Sequence, residues 1–218
     1  MTRSTMPVNL ELYLVTDRDL SKGRSLDWVV EKAVKGGATM LQLREKDMET
    51  KDFINEAKKI QKILKPYNIP LIINDRVDIA MAIEADGVHL GQTDMPYPMA
   101  RKILGNDAII GLSVENIEQA QEANQFDLDY IAISPVFTTP TKEELTQELG
   151  ISGVQKITKL SKHSSVGIGS IKPHNVETII KAGANGVAVV SAICSAEDPE
   201  KAASELRTKV QKAKSLLE

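Results

Sequence analysis

Short apolar runs alternate along the chain with longer stretches in which apolar residues recur every three or four positions, and the two periods predict strands and helices in turn. Leu12-Tyr13-Leu14-Val15 reads as a strand closed by Thr16-Asp17, and Leu26 to Lys35 reads as a helix ended by Gly36-Gly37. Met40 to Lys46 is a second strand. Thr50, as N-cap, opens a helix to Leu64 with Phe53, Ala57, Ile60 and Leu64 on one face, and Pro66 and Pro70 bracket its end. Pro70 to Asp75 is a third strand, followed by a short helix from Val77 to Glu84. Gly87 to Gly91, Ala108 to Ser113 and Tyr130 to Ser134 read as strands four to six, with helices at Met99 to Leu104 and Ile117 to Asn124 between them. Pro135 to Gly150 is rich in Thr and Glu and too long for a simple connector, and loops of that kind are usually functional or mobile. A helix from Val154 to Leu160, a strand from Val166 to Gly169 and a helix from Asn175 to Lys181 come next. Gly186 to Val190 is the eighth strand and Pro199 to Leu217 the closing helix.

Strand-then-helix units repeated through the chain predict an α/β fold, a single (β/α)8 TIM barrel over residues 1–218 with a polar tail at 1–9. The length of 218 residues suits one such barrel. An open doubly wound sheet would be expected to carry a Gly-rich turn after its first strand, and none follows Val15. Composition narrows the function. A net charge of −3 speaks against a nucleic-acid partner, which would call for a basic stripe. No apolar run approaches the roughly 18 residues that cross a bilayer, and Met1 to Asn9 lacks the apolar core of a signal peptide, so a cytoplasmic protein with no membrane partner is expected. Cys194 is the only cysteine, which excludes an internal disulfide and a cysteine-based metal cluster and predicts a small buried hydrophobe.

The candidate chemistry starts in the second strand. Successive side chains of a strand point to opposite faces, so Gln42, Arg44 and Lys46 project together while Leu41 and Leu43 take the other side. Cations aimed inward need an anion; the plain alternative is a solvated strand end. In a barrel, polar residues at the C-terminal ends of strands converge on one mouth. Here those are Asn74 and Asp75, Gln92 and Asp94, Ser113, then Thr139, Thr141 and Lys142, then Gly169 and Ser170, and finally Ser191. Asp75 and Asp94 offer hard oxygens of the kind that hold Mg²⁺, which fills its remaining positions with water and phosphate oxygens. With Arg44, Lys46 and Lys142 opposite, a diphosphate between metal and cations is the ligand that fits. For Asp94 alone, a helix N-cap ahead of Met95-Pro96 is the alternative. Gly167-Ile168-Gly169-Ser170 and Val190-Ser191 suggest a second anion site built from backbone N–H groups, although glycines at strand ends also serve simply to turn the chain. His89 alternates with Val88 and Leu90 and should point into the barrel as a hydrogen-bonded core residue; His163 and His174 sit in polar turns and read as solvated. No spacing suggests an acyl-transfer triad.

Taken together, several stretches resemble the thiamine phosphate synthase family. They are Tyr13-Leu14-Val15-Thr16-Asp17, Gln42-Leu43-Arg44-Glu45-Lys46, Asn74-Asp75-Arg76, Gly87 to Gln92, Pro135-Val136-Phe137 with Thr139 to Lys142, and Gly186 to Ile193. Their order and spacing carry the resemblance, which runs from about Leu12 to Ala192. It implies a transferase of thiamine biosynthesis that joins 4-amino-2-methyl-5-hydroxymethylpyrimidine diphosphate to a thiazole phosphate, with small-molecule substrates as its partners. Gln42, Arg44, Lys46, Asn74, Ser113 and Lys142 would contact the pyrimidine diphosphate, and Arg44, Lys46, Ser113 and Lys142 would be the catalytic set. Asp75 and Asp94 would hold Mg²⁺. Thr139, Thr141, Ser170, Val190 and Ser191 would hold the thiazole phosphate. The implied mechanism is dissociative: diphosphate departs, and the thiazole nitrogen captures the pyrimidinylmethyl cation. The family commonly has two adjacent glycines where this chain has Gly169-Ser170. A serine is tolerable there if its backbone N–H binds the phosphate, and costly if that residue needs positive φ. The thiazole tautomerase branch of the family and a non-catalytic phosphate-ligand sensor are the rival readings. Whether the chain forms a homo-oligomer is left open.

Overall fold

The computed structural model describes residues 8–138 and 147–217. Eight parallel strands pair in chain order and close on themselves: β1 (Leu12–Val15), β2 (Met40–Leu43), β3 (Leu71–Asn74), β4 (Gly87–Leu90), β5 (Ile109–Val114), β6 (Tyr130–Ile133), β7 (Ser165–Gly167) and β8 (Gly186–Val189). β8 returns to β1 with Leu12 beside Val187. Helices α1 (Leu26–Lys35), α2 (Thr50–Leu64), α3 (Val77–Ala82), α4 (Tyr97–Leu104), α5 (Ile117–Ala123), α6 (Gly150–Leu160), α7 (Val176–Lys181), α8 (Ser191–Cys194) and α9 (Pro199–Ser215) follow the strands. The (β/α)8 TIM barrel expected from the alternation is the fold.

The period-2 pattern divides the apolar residues between two cores. Leu12, Leu14, Leu41, Leu43, Val88, Leu90, Ile131 and Ile133 face outward into the layer between sheet and helices, where Phe53, Ala57, Ile60 and Leu64 of α2 are also buried. Tyr13, Met40, Ile72, Tyr130, Val166 and Ala188 face inward and fill the barrel. Two separate cores are what fixes the register, because a one-residue slip would exchange the faces of a strand. Local chemistry sets several helix starts: the side chains of Ser25, Asn116 and Asp198 accept from the N–H groups of Trp28, Gln119 and Lys201.

The floor of the barrel, at the N-terminal ends of the strands, repeats one device four times. The residue just before an even-numbered strand accepts a backbone N–H from the start of the preceding odd-numbered one. Thr39 takes that of Leu12 at 3.0 Å, Asp86 that of Leu71 at 2.8 Å, Asp129 that of Ile110 at 2.7 Å and Asn185 that of Ser165 at 2.8 Å. Each bond satisfies a strand-end donor that the ladder leaves over, worth about 1 kcal/mol net.

Three local expectations are corrected. Thr50 is the first residue of α2 and not its cap: Glu49 occupies the cap position without a side-chain bond, and the Thr50 hydroxyl instead accepts from Arg76 at 3.1 Å. His163 is half-buried, and its Nε2 meets the Ala123 carbonyl at 2.9 Å, so tertiary contact overrides its polar surroundings in sequence. Strand β2 ends at Leu43, so Arg44 and Lys46 leave from the loop beyond it. His174 is exposed and Cys194 buried, as expected.

Candidate active site

A cavity of about 420 Å³ opens at the C-terminal mouth of the barrel. Gln42, Arg44, Lys46, Asn74, Asp75, Asp94, Ser113, Ser170, Val190 and Ser191 all line it. Sequence positions 42 to 191 are thus brought to one place by strand ends. Thr139, Thr141 and Lys142 lie outside the described residues.

On the β2–β4 side the lining is charged. Arg44 is held by its backbone N–H on the Thr16 hydroxyl at 3.0 Å, and its guanidinium stands 3.6 Å from Asp17. Asp75 follows β3 in the left-handed region at φ +60, with its N–H on the His89 carbonyl at 2.9 Å. That backbone turn directs its carboxyl to Asp94, with which it hydrogen-bonds. Asp94 is no helix cap: Pro96 holds that position in α4, and the Asp94 carboxylate accepts the Gly91 N–H at 2.6 Å. Burial first, and then the hydrogen bond and charge of Asp94, push Asp75 up to about 7, against the pull of Arg44. Two carboxyls pressed together at the edge of water repel each other unless one keeps a proton or a cation joins them.

The β7–β8 side is built from backbone and hydroxyls. Gly169 has φ +114 and packs so tightly on Pro135 that an added Cβ would lie 3.0 Å from it. Ser170 also takes positive φ, at +49. A side chain there costs about 1–2 kcal/mol, and the serine hydroxyl is turned onto the Thr138 carbonyl at 2.6 Å. Thr138 in turn gives its N–H and hydroxyl to Glu148 at 3.0 and 2.8 Å. Lys172 donates from Nζ to the Ser191 hydroxyl at 3.3 Å.

Beneath both sides lies a buried polar set that sequence reasoning did not assemble. Gln42 Nε2 donates to the Tyr13 hydroxyl at 2.7 Å, the Tyr13 and Tyr130 hydroxyls are 2.7 Å apart, and His89 Nδ1 is 2.9 Å from Tyr130. His89 Nε2 then meets the Ser113 hydroxyl at 2.9 Å. The inward pointing of His89 was expected; its contact with Ser113 was not. Burial pushes His89 down to about 4 and both tyrosines well above their usual range, so the imidazole and phenols are neutral near pH 7.

The chain as a whole is similar to known proteins. The family profile described as thiamine monophosphate synthase matches residues 12–193. The chain belongs to the thiamine monophosphate synthase family. Within it, the chain is 48% identical over 193 residues to the thiamine-phosphate synthase of Clostridium novyi, a match that covers 88% of this chain and 95% of that one. It is 46% identical over 198 residues to the thiamine-phosphate synthase of Albidiferax ferrireducens, covering 91% and 90%. Among solved structures, thiamine phosphate pyrophosphorylase from Pyrococcus furiosus superposes with a TM-score of 0.88 at 37% identity, over 95% of this chain and 98% of that one. Among the described residues no helix is long and apolar enough to cross a membrane.

Proposed function

We propose that this chain joins 4-amino-2-methyl-5-hydroxymethylpyrimidine diphosphate to a thiazole phosphate, releasing diphosphate and thiamine phosphate. Family membership supports the reaction class, and one feature of this molecule supports the chemistry most directly: the hydrogen-bonded Asp75–Asp94 pair on the same wall as Arg44 and Lys46. Two hard-oxygen ligands set against each other, one pushed up to about 7, suit a divalent cation of the Mg²⁺ type. When bound, Mg²⁺ would offset charge gathering on the departing diphosphate.

The protein's own groups carry the rest. Arg44 and Lys46, which line the cavity, would hold the diphosphate and stabilise the leaving group as the C–O bond breaks. Lys142 joins them by resemblance. Gln42 and Asn74 hold the pyrimidine, and Ser113 contacts it from β5. The N–H groups around Ser170, Val190 and Ser191 hold the thiazole phosphate, with Thr139 and Thr141 assigned to the same phosphate by resemblance. Holding both rings in reach makes capture of the pyrimidinylmethyl cation by the thiazole nitrogen effectively unimolecular. No general base is required on that nitrogen.

The test is diphosphate release by purified protein given Mg²⁺ and the pyrimidine diphosphate, with and without thiazole phosphate, while thiamine phosphate is followed. Both products should appear together. Binding of both substrates with no thiamine phosphate would remove the synthase reading in favour of the tautomerase or the sensor.

A further inference from the structure

The buried polar set under the cavity has a direction. An amide nitrogen only donates, so Gln42 Nε2 gives its hydrogen to the Tyr13 oxygen at 2.7 Å. Tyr13, having accepted, has its single proton to give, and the group within reach is the Tyr130 hydroxyl at 2.7 Å. Tyr130 is then an acceptor on that side and a donor on the other, toward His89 Nδ1 at 2.9 Å. An Nδ1 that accepts leaves the proton of a neutral imidazole on Nε2. His89 Nε2 therefore donates to the Ser113 oxygen at 2.9 Å, and the hydroxyl hydrogen of Ser113 is left to point into the cavity.

The packing holds this order in place. Gly111 on β5 makes room for the Tyr130 ring: an added Cβ would meet it at 2.1 Å. His89 stacks on Tyr130 with centroids 5.6 Å apart at 21°, and Tyr13 meets Tyr130 edge-on at 85°. The reverse order would have to turn every bond from Tyr13 to Ser113 together, and it would leave the Tyr13 hydroxyl hydrogen without the acceptor that Tyr130 provides.

We propose that His89 is a positioning residue: the Gln42–Tyr13–Tyr130 chain holds it in the Nε2–H tautomer, which commits Ser113 to donating its hydrogen bond to the bound substrate. The kinetic part rests on the synthase reading; the tautomer does not. A ligand acceptor, such as a ring nitrogen, is what such a hydroxyl recognises, and an amino group presented to it would be left with donor against donor.

Long-range ¹H–¹⁵N correlation on ¹⁵N-histidine protein without substrate reads the tautomer directly. The wild type should show a pyrrole-type Nε2 and a pyridine-type Nδ1 for His89. Tyr130→Phe, which removes the donor to Nδ1 with little change of shape, should give a mixture of tautomers. Kinetically, Tyr130→Phe should lower kcat/KM roughly 10-fold in the wild-type background, of the order found when the partner orienting a functional imidazole is lost. It should add nothing once Ser113 is Ala. Should Tyr130→Phe fail to fold, Tyr13→Phe breaks the same chain one bond earlier. An Nδ1–H tautomer in the wild type overturns the proposal, and so does an equal loss in both backgrounds. A protein that makes no thiamine phosphate yet shows the Nε2–H tautomer would lose the synthase reading alone.

Discussion

The floor of this barrel gives its acids partners of opposite polarity from the chain, whereas the mouth sets one acid, Asp75, against another. At the floor, Asp86 and Asp129 accept strand N–H groups, and Glu11, just before β1, is paired with Arg207 at 2.5 Å and Lys214 at 3.1 Å from α9. At the mouth, Asp75 is turned by a left-handed backbone onto another carboxyl, and Lys46 stands exposed at the rim. The floor acids are paired within the chain. The mouth is arranged for something that arrives later, at a cost to the empty protein. On the proposed function, the same residue type stabilises at one end and serves chemistry at the other.

Substitutions should separate the ends cleanly. The largest effect belongs to the mouth cations: Arg44→Ala should lower turnover by about 100-fold or more, with the melting temperature nearly unchanged. Steady-state kinetics and a thermal scan on the same preparation read both. Next comes the floor, where Asp86→Ala strips the acceptor from the Leu71 N–H. It should cost about 1–3 kcal/mol of stability in denaturant titration while leaving the metal requirement where it was.

The pH response is smaller and has a definite sign. Asp75 sits at about 7 in the folded chain against 3.8 as a free side chain, so between those values the folded state holds more protons than the unfolded one. Its contribution to stability is greatest in acid and is lost as pH rises toward 7. In metal-free protein, wild type should melt below Asp75→Asn at about pH 8, and the gap should close toward about pH 5. A gap that widened in acid would mean that the carboxyl is stabilised in its charged form. The smallest effect is expected of Ser170→Gly: relief of positive φ, about 1–2 kcal/mol, set against the extra backbone freedom of glycine, about 0.5–1 kcal/mol, and loss of the hydroxyl bond to Thr138. Thermal melting with and without the thiazole phosphate would show which prevails.

What the chain revealed in advance follows the same division. Alternation in Leu41 to Lys46 told one face from the other, and alternation in Gly87 to Leu90 set the orientation of His89, while the repeated strand-then-helix units made the barrel legible. Charged side chains at strand ends pointed to the mouth because few buried strands end in a cation. The backbone was not legible. Asp75 and Ser170 take positive φ although neither is glycine, and α8 is a single turn imposed by packing after β8. Nor did Tyr13 and Tyr130 announce a polar chain, since at an inward strand position a tyrosine has the same pattern as any core residue. Its hydroxyl acquires meaning only when closure of the barrel brings the inward faces of β1, β2, β4, β5 and β6 together. The floor acceptors Thr39, Asp86, Asp129 and Asn185 passed for ordinary loop residues, because their partners lie 15 to 27 positions away.

The contrast between mouth and floor is tested most directly by titrating Mg²⁺ in the turnover assay for wild type, Asp75→Asn and Asp86→Asn. The account predicts a metal requirement raised roughly 10-fold or more in Asp75→Asn, as for loss of a direct ligand, and unchanged in Asp86→Asn. Superimposable titrations for all three proteins would contradict it.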